Sequence, residues 1–163
     1  MALSKIDAVN FLTGTIPQGN VARSSLPSGT ILQVVSGIIT SETTTSSSSF
    51  VDTGLDVLIT PSSSSSKIFI TSDFTTFNDT AARVMYWTLY RDSTNLGHST
   101  GGFMSTYNGG SNLGSGGSLS FLDTPSTSSQ IEYSVYFRRA TSGIAYISTH
   151  NATSTITAME VSA

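Results

Sequence analysis

Beyond residue 30 apolar and polar side chains alternate along most of the chain, and a period of two predicts β-strands rather than helices. The densest stretch is RVMYWTLYRD (83–92), which holds the only Trp. Its side chains divide into Val84, Tyr86, Thr88 and Tyr90 on one face and Met85, Trp87 and Leu89 on the other. Both sets are largely apolar, so this strand is expected to be covered on both faces. One face would meet a second sheet; the other would meet a loop, a neighbouring subunit or a ligand. Residues 50–60 alternate more cleanly, with Val51, Thr53, Leu55, Val57 and Ile59 inward. Residues 67–77 place Ile68, Ile70, Ser72 and Phe74 together, and 130–139 place Ile131, Tyr133, Val135 and Phe137 together. The β-branched run 30–40 is a further strand, with a bulge or bend expected at Gly37. Shorter strands are predicted at 96–100, 118–122, 143–149 and 155–161.

Serine, proline and glycine clusters separate these runs, so 41–49, 61–66 and 123–129 are predicted as loops or turns. The Gly-rich segment GGFMSTYNGGSNLGSGG (101–117) reads as a long exposed loop anchored by Phe103, Met104, Tyr107 and Leu113. Strands at regular spacing with turn chemistry between them, and no helical period, predict an all-β fold: an antiparallel β-sandwich or jelly roll with an extended N-terminal arm. Long apolar strands leave sheet edges to hide, and symmetric association is one way to cover them.

The arm, residues 1–28, differs from the knob domain, 29–163. Its apolar residues Ile6, Val9, Phe11, Leu12 and Ile16 are irregularly spaced and interrupted by Gly14, Pro17, Gly19 and Asn20. Such a segment has too broken a pattern to build its own core, yet it is more apolar than a disordered tail. It is expected to lie on another subunit or another protein, with a disordered tail as the alternative.

Composition sharpens the picture. Charged residues are only 10% of the 163, while Ser and Thr make up roughly a third. The polar surface is therefore made of hydroxyls and amides rather than charges. A net charge of −3 gives no basic footprint, which argues against nucleic acid as a partner. The chain has no cysteine, and it has no apolar span long enough for a membrane helix or a signal peptide.

Few motifs carry chemistry. The Gly-rich segment lacks the Gly-Lys-Ser/Thr of a phosphate loop, and there is no Gly-x-Ser-x-Gly elbow. His98 and His150 could share a metal with Asp92 or Asp123, but no ligand spacing supports it. Carboxylate pairs such as Asp92 with Asp123 or Glu132 are better read as solvated caps at strand ends. No catalytic residue, metal or cofactor is expected. Two glycosylation triplets begin at Asn78 and Asn151, as chance allows in a hydroxyl-rich chain. Residues suited to touch a sugar are Phe103, Tyr107, Asn108 and Asn112 of the Gly-rich segment, by stacking and amide hydrogen bonds, and Tyr136, which could stack on a sugar ring or equally pack at a subunit interface.

Several segments together resemble short structural proteins of tailed bacteriophages, especially those infecting cyanobacteria and marine bacteria. They are LPSGTILQVVSG (26–37), FVDTGLDVLITPSSSSSKIFI (50–70), YRDSTNLG (90–97), SFLDTPSTSSQIEYSVYFR (120–138) and STITAMEV (154–161). The arm segment SKIDAVNFLTGTIP (4–17) resembles N-terminal segments that attach phage fibres to the particle. The resemblance covers nearly the whole chain. It implies a virion protein without catalysis: a homotrimeric β domain held by an anchoring arm to capsid, neck or tail proteins. There is no room for a long fibre shaft, so the shape suits a short knob, either a capsid decoration (cement) protein or a small neck or tail fibre. A receptor-binding fibre tip that touches host surface polysaccharide is the alternative.

Overall fold

The computed structural model describes residues 26–79, 81–110, 113–140 and 142–163. The arm residues Ile6, Val9, Phe11, Leu12 and Ile16 lie outside them, as does Asn112. The strands in chain order are β1 (Ile31–Ile39), β2 (Thr43–Thr45), β3 (Val51–Ile59), β4 (Lys67–Asn78), β5 (Arg83–Arg91) and β6 (Thr94–Asn95). They continue with β7 (Met104–Asn108), β8 (Leu113–Asp123), β9 (Ile131–Arg139), β10 (Ala145–Ile147) and β11 (Ser154–Val161). Among the described residues the only helical piece is one 3-10 turn at Thr149–Asn151.

Two antiparallel sheets pack face to face. The first runs β1-β11-β4-β8, with β10 and then β2 continuing from the far part of the β4 edge that β11 leaves free. The second runs β3-β9-β5, and β5 is then flanked by β7 along one half and β6 along the other. With the short β2, β6 and β10 set aside, successive strands alternate between the sheets except for β5 and β7, which pair within the second sheet, and the connectivity is that of a jelly roll. The expected sandwich is thus the observed one.

The alternation seen in the sequence explains the layers. Leu55, Ile70, Trp87, Tyr133, Val135 and Phe137 are buried between the sheets. Trp87 is fully buried although its Nε1 has no hydrogen-bond partner. Burying so large a ring outweighs the roughly 1–3 kcal/mol cost of one unmatched donor. The second face of β5 is covered by a loop. Thr88 is fully buried beneath the segment after β6, its Oγ1 donating to Asn95 Oδ1 at 2.6 Å. Phe103 N donates to Trp87 O at 2.8 Å and so fastens the end of that segment to β5.

Four local expectations are corrected. The segment 101–117 is not a long loop: it contains β7 and the first half of β8, and β8 pairs with β4 along its whole length. Glycine-rich runs read as turns, but here tertiary packing selects the small residue. A Cβ on Gly117 would stand 2.5 Å from the Phe74 ring, which lies over that position. The short strand expected at 96–100 is instead β6, and the chain beyond it turns through an isolated His98–Gly102 bridge. The loop 41–49 likewise contains β2. At Gly37 there is no bulge, since the β1–β11 ladder is continuous there and slips instead between Ile31 and Gln33. Glycine is needed because β1 crosses β3 closely at this point. An added Cβ would stand 1.8 Å from Asp56 O.

Replacing Gly37 by Ala should therefore lower stability by about 1–3 kcal/mol in urea unfolding, as overpacking does. Gly116→Ala, where nothing lies within 4 Å, should shift it by less than about 0.5 kcal/mol. Equal effects at the two sites would show that the β1–β3 approach is not tight.

Candidate functional site

Of the residues singled out for sugar contact, Phe103 and Tyr107 do not share one surface. Phe103 is partly buried and packs edge-on against Phe121 at 5.2 Å between ring centroids, as part of the core. Its position directly after the bridge at Gly102 turns it inward. Tyr107 is 64% exposed on the short strand β7. Asn108 ends the same strand, opposite Arg83.

Asp123, Tyr133 and Glu160, three of the groups able to do acid–base chemistry, are engaged inside the fold. Asp123 is buried; both carboxylate oxygens accept from Arg91 NH1, at 3.0 and 2.8 Å. Tyr133 Oη donates to the same carboxylate at 2.7 Å. Burial, reinforced by this bond to Asp123, pushes the Tyr133 hydroxyl well above its ordinary pKa. Asp92 Oδ1 accepts from Glu132 N at 3.0 Å, a strand-end cap.

Glu160 is fully buried. Its Oε1 accepts from Ser62 N at 2.7 Å, Ser62 Oγ at 2.6 Å and Ser66 Oγ at 2.7 Å, and its Oε2 from Gln33 Nε2 at 2.6 Å. Burial by itself would raise the pKa of this carboxyl. The hydrogen bonds from Ser62, Ser66 and Gln33 outweigh it and hold the group below its ordinary value. The serine run that reads as a featureless turn is thus the cradle of a buried carboxylate.

Neither histidine stands among carboxylates. His98 Nδ1 accepts from Gly101 N at 3.1 Å and closes its own turn; the His150 ring packs edge-on against Phe77. Among the described residues no three His, Asp or Glu side chains gather where one metal ion could bind them. Of the two glycosylation triplets, Asn78 is buried with its Nδ2 on Arg83 O, whereas Asn151 is exposed.

The two outer faces of the sandwich differ sharply. On the first sheet one row crosses all four long strands: Val34 pairs with Met159, Met159 with Phe69, and Phe69 with Leu122. Every member is apolar, and Val34, Phe69 and Leu122 are 56, 36 and 48% exposed. Ile31 and Ile38, also exposed, extend the patch along β1. The next row inward is all hydroxyl: Ser36, Thr157, Thr71 and Ser120.

The second sheet carries aromatic and charged groups outward. Tyr90 and Tyr136 stack at 3.9 Å, and Asp52 and Glu132 lie close enough, after burial, to raise the pKa of Tyr136. Burial and then Glu132 and Asp52 likewise raise that of Asp56. Beside them the Arg138 guanidinium lies 4.4 Å from the centroid of Tyr86 and 5.3 Å from that of Phe50. It donates to Ser48 O at 3.1 Å and through Nε to Thr100 O at 3.1 Å, joining two loops. Between them lies a groove of about 320 Å³ lined by Ser48, Ser49, Phe50, Tyr90, Ser99, Thr100 and Arg138. Sequence reasoning singled out Tyr136 beside it but not the groove itself. The available signal was a set of tyrosines, Tyr86, Tyr90 and Tyr136, on the polar-side positions of β5 and β9.

No family model matches the chain, and no curated protein does either.

The depressed pKa of Glu160 has a definite sign for stability. Its contribution is complete above the unfolded carboxyl value and is lost as pH falls through the folded one. Glu160→Gln should cost about 1–3 kcal/mol near neutral pH, where the cradle loses its charged acceptor. The gap to the parent protein should narrow at about pH 3. Urea unfolding at the two pH values measures this, and a gap constant with pH would remove the charge from the explanation.

Proposed function

We propose that this chain is a non-enzymatic structural protein on the exterior of a tailed-phage particle. The jelly-roll domain 29–163 would be the knob, associated as a homotrimer, and the arm 1–28 would anchor it to capsid, neck or tail proteins. The observation that carries this reading is the exposed apolar row Val34–Met159–Phe69–Leu122. Monomeric surfaces rarely keep a continuous band of large apolar side chains in water, whereas association surfaces do. A second copy of the chain is its natural occupant: around a three-fold axis set against this sheet, three such rows would close on one another. The likeness of its segments to short phage structural proteins supports the same reading, as does the engagement of Asp123, Tyr133 and Glu160 in holding the fold.

A second reading is a receptor-binding tip that touches host surface polysaccharide. The half-buried tyrosines Tyr86, Tyr90 and Tyr136 and the hydroxyl-lined groove of the second sheet favour it.

Quantitative mass spectrometry of purified particles, scaled to the major capsid protein, separates the forms of the first reading. Copies comparable with the capsid protein mean a shell decoration; far fewer mean a neck or tail fibre; absence from the particle overturns the proposal. Deleting 1–28 should leave a folded knob that no longer joins the particle. In light scattering after gel filtration, Phe69→Asp with Leu122→Asp should convert trimer to monomer, and an unchanged trimer would place the interface elsewhere.

A further inference from the structure

We infer that the groove between Ser48, Phe50, Tyr90, Ser99, Thr100 and Arg138 is a binding site for one ring of a neutral saccharide. The inference rests on the second reading above and gives it a site other than the Gly-rich segment.

A sugar ring offers a face of C–H groups and a rim of hydroxyls. It therefore needs an apolar surface beside short polar groups that can both donate and accept. The groove has both, in Phe50 and Tyr90 and in the hydroxyls of Ser48, Ser99 and Thr100. Its volume, about 320 Å³, is at the small end of ligand sites and suits a single ring. The walls are held before any ligand arrives. Arg138 ties the Ser48 carbonyl on one side to the Thr100 carbonyl on the other while resting on Tyr86 and Phe50. Arg139 N adds a bond to Ser47 O at 3.0 Å on the first wall. Holding both walls in place removes most of the loop ordering that binding would otherwise cost.

Charge selects the class of sugar. The Arg138 N–H groups are directed at backbone carbonyls, so they serve the walls rather than a bound anion. Asp52, Asp56 and Glu132 share the outer face of this sheet, next to the stacked Tyr90 and Tyr136. A uronic acid carboxylate finds the Arg138 N–H groups already engaged and meets acids on the same face, whereas a neutral hexose needs no charged partner. Tyr107 offers no comparable site, since it is a single exposed ring on β7 and Phe103 faces the core. One ring in a shallow groove binds weakly, so useful affinity would come from several copies acting together on a repeating polymer.

The test is a titration of the ¹⁵N-labelled full chain, followed by amide NMR, with maltotriose, cellotriose and, as the charged probe, a galacturonate trisaccharide. A neutral probe should shift residues 48–50, 90, 99–100 and 138, and the galacturonate should bind about tenfold more weakly or worse. Thr100→Trp fills the groove from an exposed position and leaves the Thr100 carbonyl on Arg138, so it should abolish the shifts; Ser48→Trp does the same from the opposite wall. Shifts that survive both variants, or that centre on Tyr107, overturn the groove and leave the glycan reading standing. Equal binding of the galacturonate overturns the charge selection. Absence of shifts with every probe at high millimolar concentration overturns the inference, and particle copy number then still judges the structural reading separately.

Discussion

Two buried carboxylates, placed on either side of Ile68 on the inner face of the first sheet, govern how one end of the sandwich is built. The ladder register sets them there: Glu160 pairs with Ile68, and Ile68 with Asp123. A carboxylate inside a core must keep strong donors, or its desolvation is ruinous. Asp123 is matched by Arg91 and Tyr133, which reach across from the second sheet and so lock β5 and β9 onto β8. Glu160 receives hydroxyls and amides instead, which pin the serine turn 61–66 and Gln33 of β1 around it. Gln33 Nε2 also donates to Thr60 O, carrying the same network to the end of β3. In a chain with only 7 Lys and Arg, hydroxyls take over what basic side chains would do elsewhere.

The rest of the surface follows from having one sheet whose inner face is completed this way. With the core closed, the outer face of each sheet is free to differ. The first exposes a band of large apolar side chains bordered by hydroxyls, a face suited to joining copies. The second exposes tyrosines, acids and one clamped arginine, a face suited to polar ligands. Association through one face leaves the other open, so the structural reading and the binding reading can hold of the same molecule.

Much of the fold was legible because strands buried on one face announce themselves. The alternation at 51–59 and 131–139 gave the inner positions as observed, and the two-sided run at Trp87 foretold an outer face that is covered at Thr88 and half-buried at Val84, Tyr86 and Tyr90. What stayed hidden depends on contacts between distant segments. Gly37 and Gly117 looked like breakers because the atoms that demand them, Asp56 O and the Phe74 ring, are far away in sequence. Ser62 and Ser66 looked like turn filler because Glu160 lies nearly a hundred residues on. The groove was hidden for the same reason, as its walls come from 48–50 and 99–100 and only Arg138 brings them together. The Gly-rich segment drew the sugar-binding assignment because composition marks exposure but does not tell which aromatic turns inward.

The chain enters β1 where Gly29 N donates to Ser162 O and Ser162 N to Thr30 O, beside the first pair of the β1–β11 ladder. The groove lies toward the other end, near the start of β3 and the end of β9. A pull between the two therefore runs along the strands. It loads the hydrogen bonds of β1 with β11 side by side, all at once, rather than peeling them one after another. A domain held at the start of β1 and pulled at this groove would thus be strained in shear, the direction in which a β-ladder yields last.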